Sequence, residues 1–367
     1  MCKRVFSNQT SETGDIPFYK IGTFGGRPDA YISKALYAKY KEKYSFPSKG
    51  DVLISAAGTL GRTVVFDGAD SYYQDSNIVW LDIDKTIMSN EYLKHYYEVI
   101  RWSASEGSTI SRLYNGIIES TYVAIPPLEE QHRIAEALSD MDELIATLEK
   151  MLAKKKAIKQ GVMQELLTGK RRLPGFSGKW RTNRLEELAE FPTSSISLEQ
   201  TDLRYYIGTD NMISHVGGVR ENELALEYNF VREYRKRDIL LSNIRPYLQK
   251  IWYADKNGGC SNDVLVIRVT SNDLIVPNYL FFLLSQQSFF DEVMLSAIGT
   301  KMPRGDKSVI KKHQLYVPCD IKEQEAIVSV LSSIEKEIAY SNKKLKKAMK
   351  IKQGMMQQLL AGTIRII

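Results

Sequence analysis

Pro126-Pro127-Leu128-Glu129-Glu130-Gln131 opens, and Leu166-Leu167-Thr168-Gly169 closes, a stretch that reads as one long helix. Prolines stand where a helix can start, acids fill the first turn, Lys154, Lys155, Lys156 and Lys159 crowd the later turns, and Gly169 holds the place of a left-handed C-cap. Within it Ile134, Leu138, Met141, Ile145, Leu148 and Leu152 step by alternating fours and threes, the spacing of a coiled-coil seam. Such a seam needs a partner, and the same chain offers one. From Pro318 to Gly362 the pattern returns as Ile327, Leu331, Ile334, Ile338, a lapse at Ser341, then Leu345. Glu130-Gln131 reappears as Glu323-Gln324, Ile158-Lys159-Gln160-Gly161 as Ile351-Lys352-Gln353-Gly354, and Leu166-Leu167 as Leu359-Leu360, all at one offset of 193 residues. The chain is a duplicated unit.

Working outward, the segments before the two helices also repeat. Lys20-Ile21-Gly22-Thr23 is mirrored by Tyr206-Ile207-Gly208-Thr209, and Asp51-Val52-Leu53-Ile54-Ser55 by Asp238-Ile239-Leu240-Leu241-Ser242. Glu91-Tyr92-Leu93 is mirrored by Asn278-Tyr279-Leu280, and Gly107-Ser108-Thr109 by Gly299-Thr300. Strands are expected at Ile16–Thr23, Gly50–Ser55, Thr63–Phe66 and Ile78–Ile83, and a helix over Asn90–Trp102 capped at Ser89 or Asn90. The fold class is therefore α+β, with two like domains alternating with two long helices. Loops diverge where the framework does not: Ala57-Gly58-Thr59-Leu60 faces Ile244-Arg245-Pro246-Tyr247. The second copy has a lead-in, Trp180 to Glu190, without a counterpart in the first, because Met1 falls roughly opposite Glu187; a truncated or naturally short amino terminus is the expectation.

A chain of 367 residues has room for two substantial cores, and 43% hydrophobic with 26% charged residues is a globular balance. No apolar run approaches the ~18–20 residues of a membrane span, and no secretory leader opens the chain. Three cysteines, Cys2, Cys260 and Cys319, form neither a disulfide framework nor a zinc spacing, which fits a reducing cytoplasm. A net charge of +6 permits a polyanionic partner.

Catalytic signatures are missing. Asn243-Ile244-Arg245-Pro246-Tyr247 is the nearest approach to a methyltransferase motif and has the wrong spacing, while Asp320-Ile321-Lys322 lacks the upstream acid of a nuclease. Gly169-Lys170-Arg171 and Gly305-Asp306-Lys307-Ser308 lack the glycine spacing that wraps phosphates, and His95, His132, His215 and His313 are scattered. No catalytic residue and no metal site is expected.

Binding features remain. Arg232, Arg235, Lys236 and Arg237 lie among Tyr228, Phe230 and Tyr234, and Lys39, Lys41, Lys43 and Lys49 among Tyr37, Tyr40 and Tyr44. Cations neutralise phosphates, and Arg reads base edges. Each cluster also fits an ordinary solvated face. The regions nominated for DNA are Tyr40, Lys43, Thr59 and Arg62 in the first copy and Arg245, Tyr247, Lys301, Arg304 and Lys307 in the second. Gly161 and Gly354 cost roughly 1 kcal/mol each inside helices. A cost repeated in both copies points to close backbone approach or a helix break, and close packing is the expectation.

With Pro126 to Gln131 followed by Ile134-Ala135, Lys159-Gln160-Gly161 to Gly169, Leu173-Pro174-Gly175-Phe176 and the degenerate second copies, the chain resembles specificity subunits of type I restriction-modification enzymes over essentially its full length. It departs at Val317-Pro318-Cys319-Asp320, which lacks the second proline. The resemblance implies target recognition domains at 1–125 and 170–317 held apart by two long antiparallel coiled-coil helices at 126–169 and 318–367. It implies a non-catalytic subunit that reads a bipartite site on double-stranded DNA and docks two methyltransferase subunits, joined by restriction motor-nuclease subunits. S-adenosylmethionine, ATP and magnesium would belong to those partners, with no cofactor in this chain. A stand-alone tandem DNA-binding regulator and a protein–protein scaffold are the competing readings.

Overall fold

The computed structural model describes residues 1–100, 102, 112–197, 199, 202–222 and 229–366. The compared segment Gly107-Ser108-Thr109 and the clustered Tyr228 lie outside them. The chain divides into two units, Met1–Lys150 with Lys343–Ile367, and Met151–Asn342. Each unit thus owns one α+β body and a share of both long helices.

In the first unit the order is β1 (Ile16–Tyr19), β2 (Tyr31–Ile32), α1 (Lys34–Lys43), β3 (Val52–Ser55), β4 (Thr63–Val65), β5 (Tyr72–Tyr73), β6 (Ile78–Trp80), α2 (Asn90–Val99), α3 (Asn115–Glu119) and the start of α4 (Leu128–Leu166). Two three-stranded sheets run β2-β1-β5 and β4-β3-β6. Every residue of β3 is buried, as its unbroken apolar run requires. Ser89 caps α2 by accepting from the Tyr92 N–H at 3.1 Å. The basic, aromatic run from Lys34 to Lys43 is helical, which its sequence pattern did not announce. It buries Tyr37 and leaves its lysines in solvent.

The second unit continues with β7 (Trp180–Arg184), α5 (Leu185–Leu188), β8 (Ala189–Glu190), β9 (Ser195–Ser197), β10 (Phe230–Tyr234), β11 (Ile239–Ser242), β12 (Ile251–Tyr253), β13 (Gly258–Cys260) and β14 (Val264–Val269). Then come α6 (Pro277–Leu284), α7 (Gln287–Leu295), α8 (Lys307–Lys312), β15 (Gln314–Pro318) and α9 (Ile321–Leu359). Its sheets are β13-β10-β9, β12-β11-β14-β8 and the pair β15-β7. The unmatched lead-in, Trp180 to Glu190, forms β7, α5 and β8, and β7 is its first strand. It pairs antiparallel with β15 and holds Leu315 at 3% exposure, whereas the corresponding Tyr122 of the first unit is 96% exposed.

Both long helices are 39 residues. In the second unit Lys155 bonds Glu337 at 2.8 Å and Lys159 bonds Glu335 at 2.6 Å, so numbers rise in α4 as they fall in α9: the helices are antiparallel. Lys352–Asp142 at 2.7 Å is the corresponding pair of the first unit. The seam is driest at the ends that a body helps to cover. Ile134 and Leu138 are buried with Tyr92, Leu359 and Leu360, and Ile327 and Leu331 join the main core of the second unit. Leu152, Ser341 and Leu345 are also buried. Met141, Ile145, Leu148, Ile334 and Ile338 are half-buried, because two helices alone shield only one side of each residue. Ser341, a lapse in the apolar pattern, therefore still occupies a covered position.

The glycine expectation is corrected. A Cβ on Gly161 or Gly354 would meet no atom within 4 Å, so neither marks a close approach within the chain. Both helices run unbroken through them. Gly169 and Gly362, in contrast, have φ of 71° and 68° and end the two helices in the left-handed conformation.

Candidate nucleic-acid interface

The second copies of Asp-x-x-x-Ser build the same local device. The Asp51 carboxylate accepts the Ser48 N–H at 2.8 Å, and the Asp238 carboxylate accepts the Arg235 N–H at 2.7 Å. Each aspartate thereby closes the turn that feeds a buried strand. At the other end Ser55 Oγ donates to the Thr59 carbonyl at 2.5 Å, and Ser242 Oγ donates to the Ile244 carbonyl at 3.0 Å, shaping the loop that leaves the strand.

Those outgoing loops are where the copies differ, and each is zipped to the chain that precedes the long helix. Ala57 forms an antiparallel bridge with Arg112 in one unit, and Ile244 one with Arg304 in the other. In the second unit the Arg245 N–H donates to the Pro303 carbonyl at 2.7 Å and the Gly305 N–H to the Asn243 carbonyl at 3.1 Å. A Cβ on Gly305 would lie 2.6 Å from Val293 Cγ1 of α7 and 3.2 Å from Asn243 Oδ1, so glycine lets this segment pass between α7 and the outgoing loop. The result is a shared edge carrying Arg245, Tyr247, Lys301 and Arg304. Arg245 and Gln249, at φ 51° each, hold the intervening Pro246–Leu248 turn in place with strained backbone.

Among the nominated residues, Tyr247 is half exposed and Lys301 and Lys307 are exposed. Lys307 stands apart from the loop edge as the first residue of α8. Arg304 is exposed but engaged by Asp263 at 3.1 Å, a pair that solvent screens. In the first unit Thr59 and Arg62 share one loop, where Arg62 donates to the Ile21 carbonyl at 2.7 Å and stacks over Phe24. Lys43 is exposed at the end of α1. Tyr40 is the poorest fit to the expectation: it is half-buried, with its ring 5.5 Å from Tyr44 and 6.1 Å from Tyr72, and it packs rather than projects. In the basic cluster at β10, Tyr234 is fully buried and Arg232 donates to the Val264 carbonyl at 2.8 Å, while Arg235, Lys236 and Arg237 just beyond the strand are exposed. Arg112, exposed and equivalent to Arg304, was missed. The repeat alignment through Gly107 and Gly299 already pointed to it.

The Glu-Gln pair at the head of each long helix binds the bodies. The Gln131 amide oxygen accepts the Ser89 N–H at 2.8 Å, and its NH2 donates to the carbonyls of Ile87 at 2.7 Å and Pro126 at 2.8 Å. Gln324 does the same with Val276 N–H at 2.8 Å and the carbonyls of Leu274 at 3.3 Å and Pro318 at 3.0 Å. Ser89 and Val276 are the N-caps of α2 and α6, so each long helix satisfies an orphan N–H of a body helix. The neighbouring acids take arginines: Glu130 with Arg365 at 2.5 Å, Glu323 with Arg172 at 2.5 Å, each through both carboxylate oxygens. Hydrogen bonds from Arg365 hold the Glu130 carboxyl below the usual carboxylate range.

A twofold repeat of an α+β body, a cationic loop edge on each and a helix pair clamped to both define a class of paired recognition modules. The sequence matches the type I restriction modification DNA specificity domain over residues 1–160 and 178–350. It is 59% identical over 144 residues to a putative type I restriction enzyme specificity subunit of Haemophilus influenzae, covering 39% of this chain and 37% of that one. To the type I restriction enzyme MjaVIII specificity subunit of Methanocaldococcus jannaschii it is 26% identical, covering 92% of this chain and 84% of that one. In fold it is similar to the crystal structure of a type I restriction-modification S subunit from M. genitalium, with a TM-score of 0.62, 16% identity and coverage of 98% and 92%. The chain belongs to the type I restriction-modification specificity family, non-catalytic DNA-recognition subunits whose partners hold the catalytic activities. No helix among the described residues is long and apolar enough to cross a membrane.

Proposed function

We propose that residues 1–125 and 170–317 each read one half of a bipartite DNA site, and that the helices of 126–169 and 318–367 set the unread spacer and dock two methyltransferase subunits. The observation that carries this reading is the repeated clamp of Gln131 and Gln324, which ties each body to its own end of the helix pair. A 39-residue helix spans ~60 Å. The loop edges of Arg62 and Arg112 and of Arg245, Tyr247, Lys301 and Arg304 supply base and phosphate contacts, the first set by sequence-dependent hydrogen bonds and the second by charge. S-adenosylmethionine serves the methyltransferase partners, and ATP with magnesium serves the motor-nuclease subunits.

Sequencing of methylated adenines in cells carrying this gene with its partner tests the reading. Two short half-sites separated by a fixed spacer are expected; a single uninterrupted motif would refute it. Inserting one helical turn after Leu152 and after Leu345 should lengthen the spacer and leave both half-sites unchanged.

A further inference from the structure

His95 is fully buried on α2, yet its Nδ1 has no hydrogen-bond partner. That nitrogen faces Glu98 Oε1 at 3.6 Å and Asp142 Oδ2 at 3.9 Å, just beyond hydrogen-bonding range. The other oxygen of each carboxylate is taken: Lys352 Nζ bonds Glu98 Oε2 at 2.6 Å and Asp142 Oδ1 at 2.7 Å. Lys352 therefore orients both carboxylates from one side and leaves one oxygen of each aimed at the imidazole. One ammonium against two carboxylates leaves a net negative charge in a half-covered place. On the far side of the ring, Nε2 lies 3.1 Å from Ser139 Oγ, whose lone pairs can accept an Nε2 proton and so leave Nδ1 free to ligate.

We propose that His95 Nδ1, Glu98 Oε1 and Asp142 Oδ2 bind a divalent transition ion of the zinc class. One donor atom from each of the three residues lies within 4.8 Å of the other two. Metal–ligand bonds of ~2.0–2.2 Å in a tetrahedron put donors about 3.3–3.6 Å apart, so the 3.6 Å separation of His95 Nδ1 from Glu98 Oε1 already fits, and the 3.9 Å separation from Asp142 Oδ2 and the spread of the two carboxylates close by rotation of partly exposed side chains about their own bonds. One imidazole and two carboxylates with a fourth place open to water suit zinc or a neighbour in the series better than magnesium or calcium. The ion would join α2, through His95 and Glu98, to Asp142 on α4, pinning the first body to the helix pair.

The second unit shows what the same place looks like without such a site. Phe282, Ser285 and Glu335 occupy the positions of His95, Glu98 and Asp142, while Lys159 keeps the ion pair with Glu335 at 2.6 Å and lies 6.0 Å from the Phe282 ring centre. His95→Phe thus installs a side chain this architecture already accommodates. Zinc chloride titrated into the full chain against a chromophoric chelator should show one site, with affinity at least tenfold weaker in His95→Phe and in the near-isosteric Asp142→Asn. Zinc at a hundredfold excess over its Kd should raise the Tm of the parent by about 5 °C and leave His95→Phe unmoved. Absence of zinc binding by the parent at micromolar concentration, or equal stoichiometry and affinity in folded His95→Phe or Asp142→Asn, would overturn the proposal.

Discussion

Gln131 and Gln324 stand 193 residues apart and make the same three hydrogen bonds, each to the N-cap N–H of a body helix and to two carbonyls. Both side chains are fully buried. Truncation leaves one N–H and two carbonyls without their partner, at about 1–3 kcal/mol for an unsatisfied buried group. Gln131→Ala or Gln324→Ala should therefore destabilise the chain by about 2–4 kcal/mol in denaturant unfolding. Gln131→Glu should be worse than Gln131→Ala, because a carboxylate would face the Ile87 and Pro126 carbonyls; the reverse order would show that packing, not donor geometry, governs the site.

Arg365 and Glu130 form the clamp that ties the carboxyl-terminal tail to the head of α4. The Glu130 carboxyl lies below its ordinary value of 4.5, so its contribution is complete above that pH and is lost as pH falls below it. Parent and Arg365→Gln should differ in Tm at pH 7 and converge as the pH drops under 4.5. A gap that stays constant over this range would exclude the ion pair as its source.

Gly161 and Gly354 meet no neighbour, so alanine fits and removes chain entropy from the unfolded state. Gly161→Ala and Gly354→Ala should each stabilise by about 0.5–1 kcal/mol. A thermal melt checks this, and lower stability in either variant would reveal a constraint that open space does not explain. If the stabilised variants lose partner copurification, the glycines belong to an intermolecular contact.

Arg245 holds a left-handed backbone, φ 51°, that glycine adopts freely. Arg245→Gly should leave the Tm unchanged or raised while weakening specific DNA binding by the assembled complex about tenfold, the size of one lost base contact. Equal affinity, measured by a filter or anisotropy assay at fixed salt, would remove Arg245 from the interface.

Cys2 and Cys260 are buried, which pushes their thiols up to about 11 and about 12, whereas Cys319 is exposed. A disulfide reagent at pH 8 should label one thiol per native chain quickly and three after unfolding. Rapid labelling of two or more in the native chain would contradict this burial.

The legible parts of this protein were periodic. Ile134, Leu138 and Leu152 announce a helix by spacing, Gly169 announces its end, and the 193-residue repeat supplies its partner, because such signals live in neighbouring residues. The packing of Tyr40 is illegible in the sequence, since a tyrosine among lysines looks the same whether or not its ring leans on Tyr44 and Tyr72. His95 looked scattered for a like reason: Asp142 and Lys352 are distant in the chain and near in space.

By itself the sequence determined the duplication, the α+β class and the two long helices, all consequences of local periodicity and repetition. Only the tertiary structure decided which cations are free and which are spent, that Gln131 and Gln324 are clamps, that a side chain at Gly161 would meet open space, that Asp142 packs against the antiparallel partner helix at Lys352, and that Arg112 bridges to Ala57. These depend on burial and on pairs far apart in sequence, whose energies are set when the surrounding backbone is in place.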